Sequence, residues 1–221
     1  MQEDLIEEIE EKEHWYKGPL KWIVVVFLLL MVVSFIIPSY GIKLDPSPTY
    51  IPLINEVFSF SNGNGNETKS PYTDERGYLN LLEPTNSKIK QTANKIVSLS
   101  GCKSSKVCNA KAIFYFVRNN INYVNDPVSR EYLASTTETL NTGSGDCDDY
   151  SITLSNLLQS IGIPTRFVFV PGHVYVQAKL PDAMNKYKQE DSWVNLDATC
   201  SNCEFGNIPS TSVSANKRYL G

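Results

Sequence analysis

The sequence predicts an α+β domain behind one apolar membrane helix. Three observations carry this reading: a charge-poor apolar run near the N-terminus, helix-face periodicities between residues 89 and 161, and β-prone runs between 166 and 198. The chain has 221 residues, enough for one domain with a core and additional segments.

The formal net charge is −4, and its placement is informative. Glu3, Asp4, Glu7, Glu8, Glu10, Glu11 and Glu13 face only Lys12, Lys17 and Lys21, so residues 1–21 hold the whole acidic excess. The remainder is balanced and has no basic stripe, which excludes nucleic acid as the expected partner.

Residues 1–19 are read as an acidic tail and 20–38 as a transmembrane helix. From Leu20 to Ile37 only Lys21 and Ser34 are polar, and at 1.5 Å per residue the run spans roughly 27 Å, close to a bilayer core. Trp15, Tyr16, Trp22 and Tyr40 suit interfacial anchors, and Pro38 is the expected end. Ser39-Tyr40-Gly41 could serve a cleavable signal, but the acidic start is wrong for one. Lys12, Lys17 and Lys21 precede the helix and Lys43 follows it, so the N-terminus is expected inside and the domain outside.

Residues 39–77 read as a stalk, rich in proline and holding Asn62-Gly63-Asn64-Gly65-Asn66. Asn66-Glu67-Thr68 fits a glycosylation acceptor. Tyr50–Ile54 and Val57–Phe60 are apolar enough to pack onto the domain or the membrane.

Residues 78–221 form the expected domain. Ile89, Ala93, Ile96 and Val97 mark one helix face, and Ala110, Ile113, Phe114 and Val117 another. Tyr150, Leu154, Leu157, Leu158 and Ile161 mark a third helix, stopped by Gly162 and Pro164. Gly143 and Gly145 predict a tight turn before it, Asp146 the N-cap, and Asp149 its capping-box partner. Cys147 is then the first helical residue. A thiol there meets the positive end of the helix dipole and unpaired N–H groups, which lower its pKa and can hold an oxyanion.

Arg166–Val170, His173–Leu180 and Trp193–Ala198 read as strands. A hairpin centred on Asn185 pairs Val174 with Leu196 and Val176 with Val194, making one apolar face. The other face then sets Tyr175 opposite Asn195, Gln177 opposite Trp193 and His173 opposite Asp197. The chain has two histidines and His14 precedes the apolar run, so only His173 is available to Cys147. Nucleophile, base and orienter are the parts of acyl-transfer chemistry.

These residues resemble the transglutaminase-like superfamily of papain-like cysteine enzymes. The resemblance rests on Thr139-Leu140 with Gly143–Ser151, on Leu157-Leu158 with Gly162–Arg166, on His173–Val176, and on Trp193–Thr199. It covers roughly residues 86–200. It implies a papain-like, transglutaminase-core fold with helices packed on an antiparallel sheet, Cys147 as nucleophile, His173 as base and acid, and Asp197 as orienter. Ala198 stands where the family commonly has proline.

The implied reaction is acyl transfer on a peptide or amide through a thioester, with a peptide or protein substrate and the backbone N–H of Cys147 as one oxyanion donor. Tyr132 and Asn141 are candidates for the second donor, and Asp148, Tyr175 and Trp193 for the cleft lining. Without β-sandwich repeats or a calcium-loop pattern of the kind associated with large animal cross-linking enzymes, hydrolysis is expected over cross-linking. A non-catalytic, membrane-tethered binding module on the same fold is the alternative.

Four further cysteines allow three connectivities. Bonds between sequence neighbours, Cys102 with Cys108 and Cys200 with Cys203, are expected for an external domain, and a structural zinc held by the four is the alternative. A redox pair at Cys200-Ser201-Asn202-Cys203 is disfavoured because no helical pattern follows it.

Overall fold

The computed structural model describes residues 19–60, 75–126 and 132–221, the side chains of residue 19 and of residues 37–43 excepted. The acidic tail, His14 and the Asn66 acceptor lie outside the described residues. The chain divides into two compact units between Leu44 and Asp45.

The first unit contains α1 (Pro19–Leu44), whose side chains from Leu20 to Ile36 are exposed. Among the described residues no helix is long and apolar enough to cross a membrane. The backbone helix continues through Pro38, the expected end, although proline removes one backbone hydrogen bond.

The second unit begins at Asp45, so the expected stalk is not uniform. Residues 45–60 pack on the folded unit: Val57 and Phe58 are buried in its core, and the N–H of Ile54, which opens α2 (Ile54–Val57), donates to Asn120 Oδ1 at 2.8 Å. Lys111, 3% exposed, holds this segment through its Nζ, 2.5 Å from Asp45 Oδ1 and 3.0 Å from Ser47 Oγ. Tyr187 donates to the other Asp45 oxygen at 2.7 Å. Burial raises the Asp45 pKa, but the bonds and charges of Lys111, Tyr187 and Lys186 outweigh it and leave the carboxyl below its ordinary value.

Two predicted helices follow a short α3 (Glu75–Asn80): α4 (Ser87–Leu99), capped by Asn86, and α5 (Lys106–Asn120), capped by Ser105. The Cys102–Cys108 disulfide joins their connection to the first turn of α5. A two-residue parallel pair, β1 (Asn122–Tyr123) with β2 (Ser144–Gly145), frames α6 (Thr136–Thr142), which lies in a stretch without an apolar stripe to betray it.

The core is built around α7 (Cys147–Ser160), buried on every side from Asp148 to Leu158. Its apolar stripe was legible in the sequence, but polar residues are buried too, and Ser151, Ser155 and Asn156 each bond a different neighbour. Ser151 donates to the Val174 carbonyl at 3.3 Å, and Ser155 and Thr165 share a 2.9 Å hydrogen bond. Asn156 donates to the Leu81 carbonyl and to Thr136, both at 2.8 Å. Helix–sheet and helix–helix contacts are thereby fixed by hydrogen bonds that burial would otherwise leave costly.

The sheet is antiparallel, in the order β5-β4-β3-β6, formed by β3 (Thr165–Val170), β4 (His173–Lys179), β5 (Trp193–Leu196) and β6 (Arg218–Leu220). The β4–β5 register differs from the expected one by two residues: Val176 faces Leu196, Gln177 faces Asn195, Ala178 faces Val194 and Lys179 faces Trp193. A shift of two leaves every side chain on its expected face, and the alternation pattern cannot distinguish registers of the same parity. The connecting loop absorbs the difference in a 3₁₀ turn at Glu190–Ser192, where Asp191 and Ser192 take positive φ.

Candidate active site

The position of Cys147 is set by the turn before α7. Gly143 closes α6 at φ 63°, and Gly145 lies so close to Asp149 that an added Cβ would sit 2.6 Å from the aspartate's own. Asp146 caps α7, accepting from the Asp148 and Asp149 N–H groups, while Asp149 answers with bonds from the N–H groups of Asp146 at 3.3 Å and Ala134 at 2.7 Å. The cap leaves the Cys147 N–H uncommitted.

On the opposing strand, His173 Nε2–H donates to Asp197 Oδ2 at 2.8 Å. Asp197 lies just past the end of β5 and, in the observed register, diagonally across from His173, still within side-chain reach. Its other oxygen accepts from the Thr199 hydroxyl at 2.6 Å and the Thr199 N–H at 3.2 Å. The Asp197 carboxylate, 1% exposed, is thus divided between the imidazole and a clamp.

The backbone of Val174, the residue after His173, lies near the Cys147 sulfur. The Cys147 S–H itself points to Asp148 Oδ1 at 3.5 Å. Two tyrosines missed in the sequence complete the surroundings: Tyr123 lies near the sulfur, and Tyr78 near Asp148. Both are tens of residues away in sequence and carry no local signal. The expected donors lie otherwise: Tyr132 donates to Glu138 at 2.7 and 2.8 Å, and Asn141 is exposed. Of the expected lining residues, Asp148 meets the sulfur. Tyr175 is buried with its ring 6.4 Å from that of His173, and Trp193 instead stacks on Arg166 at 4.3 Å.

The thiol differs from expectation in the direction of its pKa. Burial first, then the Asp148 and Asp146 carboxylates, push Cys147 up to about 12, against the lowering effect of the Val174 N–H. The helix terminus alone would lower it, but burial and like charge win. The resting thiol is therefore protonated, and its alkylation rate is expected to climb with pH without a plateau below pH 9. Asp148→Asn removes a negative charge that opposes the thiolate, so its profile should shift to lower pH. A wild-type inflexion at or below the free-thiol value of about 8.5 would contradict this.

The remaining sulfurs form the expected neighbour pairs, Cys102–Cys108 and Cys200–Cys203, and Cys147 is the one free cysteine among the described residues. Asp146, Cys147 and Asp148 also bring their ligand atoms within 4.8 Å of one another.

Residues 90–198 match the family model of the transglutaminase-like superfamily. Over those residues the chain is similar to that superfamily. Among solved structures, this chain is similar to a candidate cysteine protease from Cytophaga hutchinsonii at 18% identity, over 56% of this chain and 42% of that one, with a TM-score of 0.40. A candidate protease from Parabacteroides distasonis aligns at 15% identity over 58% of this chain and 27% of that one, with a TM-score of 0.41. Legionella pneumophila LapG aligns at 21% identity over 65% and 81%, with a TM-score of 0.43. The chain thus spans less than half the length of the first two. No curated protein sequence matches it.

Proposed function

We propose that the transglutaminase-like domain is a thiol hydrolase that cleaves peptide or amide bonds through a thioester on Cys147. The observation that carries this reading is the His173–Asp197 bond of 2.8 Å, with the backbone of the neighbouring Val174 near the Cys147 sulfur. Asp197 occupies Nε2 and so fixes the tautomer that leaves Nδ1 to accept a proton.

Because the resting thiol is neutral, its proton leaves as substrate is attacked. Nδ1 of His173 takes that proton, the sulfur adds to the carbonyl carbon, and the oxyanion is held by the Cys147 N–H and the Tyr123 hydroxyl. The C–N bond then breaks as the imidazolium returns the proton to the amine. Water attacks the thioester with His173 accepting its proton, which releases the acid and restores the thiol.

The test is Cys147→Ala in the full chain, assayed by mass spectrometry against a random peptide mixture. Cleavage should vanish while the circular dichroism spectrum stays native, and cleavage that persists sinks the assignment. A non-catalytic binding module is the second reading, favoured by one observation: the thiol is bonded to Asp148 and not to His173.

Anchoring of the domain outside a membrane by residues 20–38 belongs to the same proposal. It is supported by the exposed side chains from Leu20 to Ile36, apolar except for Lys21 and Ser34, a surface that water disfavours. Release of the chain from membranes by alkaline extraction would remove this part.

A further inference from the structure

A cavity of about 590 Å³ opens beside His173. His173 lines it and Cys147 does not. Its volume falls within the range of about 300–1,000 Å³ typical of small-ligand sites. The walls come from the β3–β4 turn, the loop after Asp197, and α8 (Ser210–Val213) with its flanks.

The chemistry of the walls is uniform. Thr199, Ser201, Asn202, Thr211 and Ser212 supply hydroxyls and one amide, beside apolar Val170 and Pro171. No carboxylate, ammonium or guanidinium group lines the cavity among the described residues. An ionised side chain entering it would leave water for groups that cannot pair its charge, a large cost, whereas small uncharged residues exchange water for hydroxyl and amide partners.

The cavity is also a built feature. The Cys200–Cys203 disulfide closes the loop that forms one wall, and the Cys203 N–H donates to the Cys200 carbonyl at 3.1 Å. Arg118 of α5 donates to the Cys203 carbonyl at 2.7 Å, its guanidinium lying 4.6 Å from the Tyr115 ring centre. Thr199 joins the same wall to Asp197. A wall held at both ends keeps its shape with no ligand bound.

We propose that this cavity is the subsite for the amine-side segment of the substrate, and that it selects small uncharged residues immediately after the cleaved bond. This rests on the hydrolase reading for its orientation. The acyl part of a substrate becomes bonded to Cys147, whereas the departing amine must reach His173 to take its proton, so whatever fills a cavity lined by His173 alone of the pair is the amine side.

Two measurements on the full chain in detergent micelles separate the subsite from the reaction. In the first, the Cys147→Ala chain is titrated with the tetrapeptide amide Ser-Ala-Asn-Gly carrying a C-terminal fluorophore, and with versions holding lysine or aspartate at the first two positions. The neutral peptide should bind at least tenfold tighter than either charged one. Asn202→Asp, or Thr211→Asp if the first variant misfolds, should reverse the order between the neutral and lysine peptides. Equal binding of all three, no measurable binding, or an order unmoved by the introduced carboxylate overturns the subsite.

In the second, the wild-type chain is given the random peptide mixture and the new N-termini are sequenced. Small uncharged residues should be enriched at least tenfold there over charged ones, and their absence from the new N-termini also overturns the proposal. Selective binding without any cleavage would keep the cavity's selectivity and sink the hydrolase reading, and with it the amine-side assignment.

Discussion

Asp197→Ala is expected, on the proposed mechanism, to slow formation of the thioester roughly 10³–10⁴-fold while the domain stays folded, the scale of loss when a carboxylate is removed from a nucleophile–base–carboxylate triad. The carboxylate is 1% exposed, and its removal frees both the imidazole Nε2 and the Thr199 hydroxyl. His173 would then sample the tautomer and orientations that its 2.8 Å bond excludes. Thr199→Val leaves the carboxylate but loosens it, so a loss of about tenfold is expected, and Thr199→Ser should restore most of it. Single-turnover acylation by an activated peptide ester measures all three. A loss under tenfold for Asp197→Ala would remove that residue from the mechanism.

The second large effect is on stability. Asp45→Ala should cost about 3–5 kcal/mol, because the Lys111 ammonium is buried and its 2.5 Å partner is the only carboxylate paired with it among the described residues. Replacing both, as Lys111→Met with Asp45→Ser, should recover much of the loss, since neither buried charge then remains. Urea denaturation of the full chain in micelles measures this. Asp45 is held below its ordinary pKa, so its stabilisation is complete above its unfolded value of about 3.9 and fades as pH falls through the lower folded value. A change under 1 kcal/mol for Asp45→Ala would mean that Lys111 finds another partner or reaches water.

Much of the site was legible because its signals are local. The capping box of Asp146 and Asp149 and the glycines before it are written within seven residues, and they placed Cys147 at the head of its helix. Strand parity was also local, so His173 and Asp197 were assigned to one face, and they bond despite a register that differs by two. What the sequence concealed depends on tertiary contact. Burial of Cys147 beside Asp148 reversed the direction of its pKa, and burial is a property of the packed core. Tyr78 and Tyr123 reach the sulfur's surroundings from elements far away in the chain. β6 is three residues long, and pairing with β3 defines it more than its own composition.

The same parity has a consequence for how the protein can fail. A β4–β5 hairpin slipped by two residues would keep Val174, Val176, Val194 and Leu196 in the core, so burial alone gives little reason to reject it. Discrimination falls to polar contacts: the bond from Gln177 to Asn195 at 2.7 Å and the Lys188–Val194 bridge. Refolded preparations are therefore prone to a misaligned fraction with near-native spectra, intact disulfides and altered contact between His173 and Asp197. Active-site titration, and not a melting curve, is the assay that would count the competent molecules.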